Sequence, residues 1–208
     1  MSSRLSSEQV KAEAKDLGFF ACGIAKAAPV SASCADRFRR WLHAGCHAGM
    51  DYMARNVEKR LDPTLLMPGV KSIVCVALNY APGRKLPDGE PQIASYALGQ
   101  DYHDIVKSRL HTLASRLGIT AYRAFCDTAP VLERYWAAQA GLGWTGRNHQ
   151  LVIPHAGSMF FLGELFLDIE LDYDRPVPSR CGTCHACIDA CPTGAICHDG
   201  QMRSARCL

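Results

Sequence analysis

Four cysteines between positions 181 and 191 have the type and spacing to do redox or metal chemistry. The run reads C-G-T-C-H-A-C-I-D-A-C-P, with Cys181, Cys184 and Cys187 at even intervals, then Cys191 one residue later than that rhythm and Pro192 behind it. This is the C-x2-C-x2-C-x3-C-P spacing of iron–sulfur ligand runs, in which the fourth cysteine serves a different cluster from the first three. A cubane presents its iron corners a few ångströms apart, so a tight loop must aim three thiolates at one face. The extra residue before Cys191, with Pro192 after it, turns the fourth thiolate away. Structural zinc usually takes two separated C-x2-C pairs or a Cys/His mixture. A disulfide framework needs an oxidising compartment, for which the sequence carries no address.

One such run cannot complete a cluster. Three thiolates need a fourth, and Cys191 needs three companions, yet only Cys197 and Cys207 follow before Leu208. Either upstream cysteines supply the rest, or the natural chain continues and this is its front part; the second is the expectation. Other stretches hold polar groups with chemical potential. The segment His47–Arg60 mixes Tyr, Met and several Arg around a glycine, which suits either a charged surface or a ligand-touching loop. Asp127 stands between a short strand and a helix, where it or Thr128 would cap the helix. Gly141–Gly163 is rich in glycine and aromatics, with Arg147, Asn148 and His149 among them. Glycine lets backbone approach a flat ligand closely, though a hairpin packed on itself reads the same way.

The chain around these residues is ordinary. Its 208 residues suffice for one large domain, or one domain and an appendage. A net charge of +3 is too weak to argue nucleic-acid binding by itself. The start, M-S-S-R-L-S-S, has no apolar core of a signal peptide, and no stretch reaches membrane-span length. Eleven cysteines point to a reducing cytoplasm.

The elements that must position the chemistry follow from pattern. Ser6 with Gln9 forms a capping box, opening a helix through Val10, Ala14 and Leu17 that Gly18 stops. Phe19–Ala25 and the β-branched Ser72–Tyr80 read as buried strands, with a helix over Ala35–Ala44 between them. Ala81–Pro91 is a surface loop. Val106, Leu110, Leu113 and Leu117 mark a helix over Asp104–Leu117, followed by strand Tyr122–Cys126, helix Val131–Ala140 and strand Phe160–Ile169. Two prolines in Asp172–Ser179 mark a linker. The fold class expected is α/β, a mixed sheet with flanking helices over residues 1–175, then a partial ferredoxin-like module over residues 176–208.

Six segments in order carry a resemblance: D-Y-M-A-R (51–55), Y-A-L-G-Q-D-Y-H (96–103), F-C-D-T-A-P-V-L-E-R (125–134), G-L-G-W-T-G-R-N (141–148), A-G-S-M-F-F-L-G-E (156–164) and the cysteine run with T-G-A-I after it. Together they resemble the epoxyqueuosine reductases, from about Met50 onward and less distinctly before. The resemblance implies a cobalamin-binding α/β domain, two 4Fe–4S clusters, and reduction of the epoxide of epoxyqueuosine at the tRNA wobble position, the last step of queuosine synthesis. It implies a cytoplasmic monomer fed by an external low-potential electron donor, with tRNA as substrate and no membrane.

By the same resemblance Asp127 is the proton donor and lies in the cofactor site. A carboxyl enclosed against a corrin would have its neutral form favoured by desolvation. Arg55 matches the family's cobalamin-site arginine, and Leu151, Leu162 and Leu165 match positions lining that cofactor. Cys181, Cys184 and Cys187 match one cluster, Cys191 and Cys207 the other, leaving Cys197 a bystander. Cys22, Cys34, Cys46, Cys75 and Cys126 then read as buried small residues. The family continues past the position of Leu208 with a second cysteine run supplying the missing ligands, so both clusters depend on residues beyond 208. A cobalamin and iron–sulfur reductase of a small molecule, such as a reductive dehalogenase, or a catalytically incomplete product are the alternatives. Salt-dependent tRNA binding separates the first of these.

Overall fold

A computed structural model describes residues 5–83, 86, 87 and 89–208, so part of the expected Ala81–Pro91 loop lies outside the described residues. Helix α1 (Ser7–Asp16) opens on the capping box read from Ser6 and Gln9, with both reciprocal hydrogen bonds made. Strand β1 (Ala21–Lys26) follows, then α2 (Ala32–His43), the short α3 (Val57–Leu61) and β2 (Ser72–Asn79). Next come α4 (Tyr102–Arg116), β3 (Tyr122–Phe125) and α5 (Glu133–Gln139). A small hairpin of β4 (Trp144–Thr145) and β5 (Leu151–Val152) precedes β6 (Phe160–Leu167), and α6 (Ala186–Asp189) lies within the cysteine run. No helix among the described residues is long and apolar enough to cross a membrane.

The main sheet has the order β1-β2-β6-β3, and the class is α/β with flanking helices as expected. Its pairings correct one detail: all three ladders are antiparallel, where a mixed sheet was expected. The reason is insertion. β2 and β3 run the same way, joined across α4 as a parallel crossover would be, but β6 enters between them antiparallel to both, a split βαβ arrangement.

Alternation along the strands divides the core into two layers. Ile24, Val74, Val76, Leu165 and Leu167 face α1 and α4, meeting Val10, Val106 and Leu110. Ile73, Cys75, Ala77, Leu162 and Phe166 face the other way, toward Trp136 and Ala137 of α5 and toward Leu61. Two glycines permit close approach. A Cβ on Gly163 would lie 2.5 Å from Val106 Cγ1, so α4 rides directly on β6 there. A Cβ on Gly23 would lie 2.1 Å from the Ala140 carbonyl, so the end of α5 seats against β1.

The linker is tied to this body as far as Asp174, whose carboxylate accepts from Lys11 Nζ at 2.7 Å and from the Ile24 amide at 2.8 Å. The cysteine segment docks elsewhere. Trp41 Nε1 donates to the Met202 carbonyl at 2.7 Å, the Ser204 amide donates to the Cys46 carbonyl at 2.9 Å, and Arg147 donates to the Gly182 carbonyl at 2.9 Å.

Candidate active site at the strand ends

Asp127 follows the C-terminal end of β3 in a left-handed conformation (φ 58°) that non-glycine residues seldom adopt. Neither it nor Thr128 caps α5, as sequence suggested; the N-cap is Leu132, with no side-chain cap bond. The relation runs the other way, since the Asp127 amide donates to Glu133 Oε1 in the first turn of α5. The Asp127 side chain is 59% exposed rather than enclosed. Its Oδ2 accepts from the Tyr102 hydroxyl at 2.7 Å and faces His103 Nε2 at 3.3 Å.

Tyr102 and His103 open α4, whose N-cap is Asp101, two residues earlier than the apolar period indicated. Asp101 holds His103 at both ends, accepting from its amide at 2.9 Å and lying 2.7 Å from Nδ1. With a carboxylate on each ring nitrogen, the doubly protonated imidazole satisfies both. Burial pulls the His103 pKa down, but Asp101 and Asp127 outweigh it and the value stands above the usual one. The bond from His103 pulls Asp101 below the usual carboxylate range. Burial, followed by the bond to Asp127, pushes the Tyr102 hydroxyl well up, so it stays a donor. The Tyr102 ring stacks on Phe161, centroids 4.1 Å apart and planes 1° from parallel, and Phe161 meets Tyr80 at 4.5 Å. The ends of β2 and β3 and the start of β6 thus deliver one aromatic and acid–base cluster. Sequence reasoning quoted D-Y-H only as part of a resemblance; an isolated Asp said to act as an acid demanded partners, and these are they.

Two further acids went unread. Burial pushes Glu133 up to about 7. Glu164, in the middle of β6, is fully buried, and neither carboxyl oxygen has a hydrogen-bond partner among the described residues.

The other anticipated positions are scattered. Arg55, in the turn before α3, is exposed and makes no ion pair among the described residues. Leu151 and Leu162 lie in the same core layer, at 4% and 9% exposure, whereas Leu165 is fully buried in the opposite layer. The structure therefore does not bring the three leucine side chains together. Cys75 and Cys126 are buried as expected, while Cys22 and Cys34 are only half-buried at the margins of their layers and Cys46, also half-buried, lies outside both layers. Every cysteine is a free thiol. Among the described residues no three of His, Cys, Asp and Glu converge at metal-holding distance. Two thiols nonetheless have their pKa lowered. The Trp144 indole N–H, helped by the Arg147 backbone, pulls the Cys181 pKa down. The amide of Ile196, with those of Thr193 and Ala195, brings Cys191 to about 7.

Residues 60–128 match the family described as "Epoxyqueuosine reductase QueG, DUF1730". The epoxyqueuosine reductase of Cellulophaga algicola is 43% identical over 206 residues, covering 97% of this chain and 67% of its own length. The chain belongs to the epoxyqueuosine reductase family. Solved epoxyqueuosine reductases share its fold. One, in complex with an epoxyqueuosine-modified tRNA-Tyr stem loop, has a TM-score of 0.85 at 32% identity, with 96% of this chain and 55% of that one covered. Another, from Bacillus subtilis with its catalytic aspartate loop swung out of the active site, has a TM-score of 0.83 at 31% identity over 96% and 55%. A reductive dehalogenase of B12-dependent mechanism shares the fold at 21% identity and a TM-score of 0.51, over 83% of this chain and 20% of its own. The chain thus spans between about half and two-thirds of the length of these epoxyqueuosine reductases.

The residues present fit the groups such reductases would require. Phe20, Tyr52, Ile93, Tyr96 and Leu98, in segments flanking the strand ends, are large apolar side chains left exposed at 42 to 56%. Exposed apolar surface of this kind suits a broad macrocycle. At the cysteine run, the lowered pKa values of Cys181 and Cys191 favour the thiolate form that cluster ligation needs.

Proposed function

We propose that this chain carries the catalytic part of an epoxyqueuosine reductase, converting epoxyqueuosine at the tRNA wobble position to queuosine. The observation that carries the reading is the carboxylate of Asp127 held between Tyr102 and His103 at the strand ends of a chain of this family. The reaction takes two electrons and two protons, opens both C–O bonds, and releases the epoxide oxygen as water. Asp127 supplies one of those protons to the epoxide oxygen, acting as general acid. Tyr102 and His103 orient it, and His103, placed between two carboxylates, returns a proton to it after each turnover.

Arg55 and the segments bearing Leu151, Leu162 and Leu165 would hold cobalamin. Leu165, fully buried with β2 and β3 paired on either side of it, would support that site only from within the core. Cys181, Cys184 and Cys187 would ligate one 4Fe–4S cluster, and Cys191 with Cys207 part of a second, completed by residues outside this chain. Cobalamin, when bound, would supply the reducing chemistry at the epoxide, by attack or by electron transfer, fed by the clusters and an external low-potential donor. The body ends near residue 175, after the Asp174 contacts, and the cysteine module begins at 176. Free cysteines throughout support a reducing, cytoplasmic setting.

The test is Asp127→Asn with cofactors loaded. Removing a general acid costs about 100- to 10,000-fold; an unchanged rate of epoxide reduction would refute the assignment.

A further inference from the structure

Glu164 occupies a place where an ionised carboxylate cannot rest. It lies mid-strand in β6, opposite Cys75 of β2 and Phe125 of β3, on the same side of the sheet as Leu162 and Phe166. It is fully buried, and both oxygens lack partners among the described residues. A dry, unpaired charge costs far more than taking up a proton, so the group is held neutral.

Above it stands Glu133, whose Oε1 accepts the Asp127 amide. That bond meets a specific need. Asp127 holds a left-handed backbone that an L-residue adopts only at a cost, so something must retain it. The loop's backbone bonds, Thr128 amide to Cys126 carbonyl and Val131 amide to Ala129 carbonyl, are local, and α4 holds only side chains, through Tyr102 and His103 on the Asp127 carboxylate and Lys107 on the Thr128 hydroxyl, so Glu133 alone among these takes the Asp127 backbone.

We infer that Glu133 is a positioning residue for Asp127, clamping its amide from the start of α5, and that Glu164 is the clamp's neutral acid partner, so that the pair carries at most one negative charge. The inference rests on the reading of Asp127 as proton donor. With Glu133 ionised the clamp is a charge-assisted bond; with Glu133 protonated it weakens. Burial sets where that happens, lifting Glu133 to about 7 against the opposing pull of the Asp127 amide, while Glu164 is raised well above its usual range by burial and then by the charge of Glu133. The cations facing the pair are Arg60 of α3, His103 of α4 and Arg134 of α5. The remaining titratable neighbours are Asp127, the hydroxyl of Tyr102 and the thiols of Cys75 and Cys126, both thiols pushed up by burial. Glu164, being neutral, does not compete with Glu133 for those cations.

The experiment follows the amide resonance of position 127 in the isotope-labelled 208-residue chain as pH is raised. In the wild type it should move with a midpoint near 7. In a His103→Gln background, used for every variant because that imidazole also titrates beside Asp127, it should stay flat in Glu133→Gln and still move in Asp127→Asn, which separates the clamp from Asp127's own carboxyl. In parallel, the infrared carbonyl band of a protonated carboxylic acid should persist after the amide has finished moving, and vanish in Glu164→Gln. A flat wild-type amide overturns the inference without any variant being needed. So does an amide that still titrates in Glu133→Gln, an acid band absent at high pH, or one surviving Glu164→Gln. These readouts need neither cofactor nor tRNA. If they hold while Asp127→Asn keeps full epoxide reduction, the clamp stands and the proton-donor reading falls.

Discussion

At the scale of single residues, the site is a carboxylate whose neighbours decide what it can do. Tyr102 and His103 approach Asp127 from the start of α4, and Asp101 fixes the imidazole from behind. A hydrogen bond to a charged group is worth about 1.5–3 kcal/mol, so Tyr102→Phe is expected to lower turnover roughly tenfold with little change in KM. Steady-state kinetics on the modified stem loop would check it; an equal loss in KM alone would move Tyr102 to substrate binding. The imidazolium adds a pH limb. A His whose folded pKa is raised keeps its proton below the unfolded value and surrenders it as pH rises through the folded one. Above that point Asp127 loses its cationic neighbour.

At the scale of elements, the site depends on how closely α4 lies on β6. Gly163 is the contact point, with Val106 and Leu110 of α4 directly over it. Gly163→Ala places a methyl 2.5 Å from Val106 Cγ1. Overpacking of this kind costs about 1–3 kcal/mol. The expected outcome is a lower Tm together with a weakened Tyr102–Asp127 contact, since the helix that must shift is the one carrying Tyr102. A variant with unchanged Tm and turnover would show that the helix has slack. Gly163 sits within the A-G-S-M-F-F-L-G-E segment, and its burden is steric, unlike the ligand approach that a glycine-rich stretch suggested.

At the scale of the whole molecule, the buried acids make folding sensitive to pH. Burial lifts Glu133 from 4.5 to about 7, so the folded chain binds that proton more tightly than the unfolded one. Stability is therefore full below about pH 4.5 for this group and lost as pH rises toward 7, with a limit on the order of 3 kcal/mol. Glu164 and His103 act in the same direction. Asp101, pulled down, acts the opposite way at lower pH, and Cys191, brought down to about 7, opposes above neutrality. Thermal unfolding should show Tm falling between about pH 5 and about pH 7, with a shallower fall in Glu133→Gln. A Tm independent of pH in that window would mean both acids unfold as they fold.

The sequence by itself determined what is local or periodic. The capping box of Ser6 and Gln9, the strands around Val74 and Leu165, and the helix through Val106 and Leu110 need only near neighbours in the chain, and they lie where pattern placed them. The C-x2-C-x2-C-x3-C-P spacing is equally local, and so was legible. Tertiary structure decided the rest. Only the insertion of β6 between β2 and β3 makes its two ladders antiparallel, whereas Leu165 turns away from Leu162 simply because the two are three residues apart on one strand. Asp127 looked like a helix cap because its flanking residues favour one. Its actual partners, Tyr102 and His103, lie 25 and 24 residues away, and Glu133 became its clamp only because β3 and α5 meet at the sheet's end. Glu164 passed unread within an apolar strand. Its lack of any partner is a property of the closed core, and no spacing in the chain encodes it.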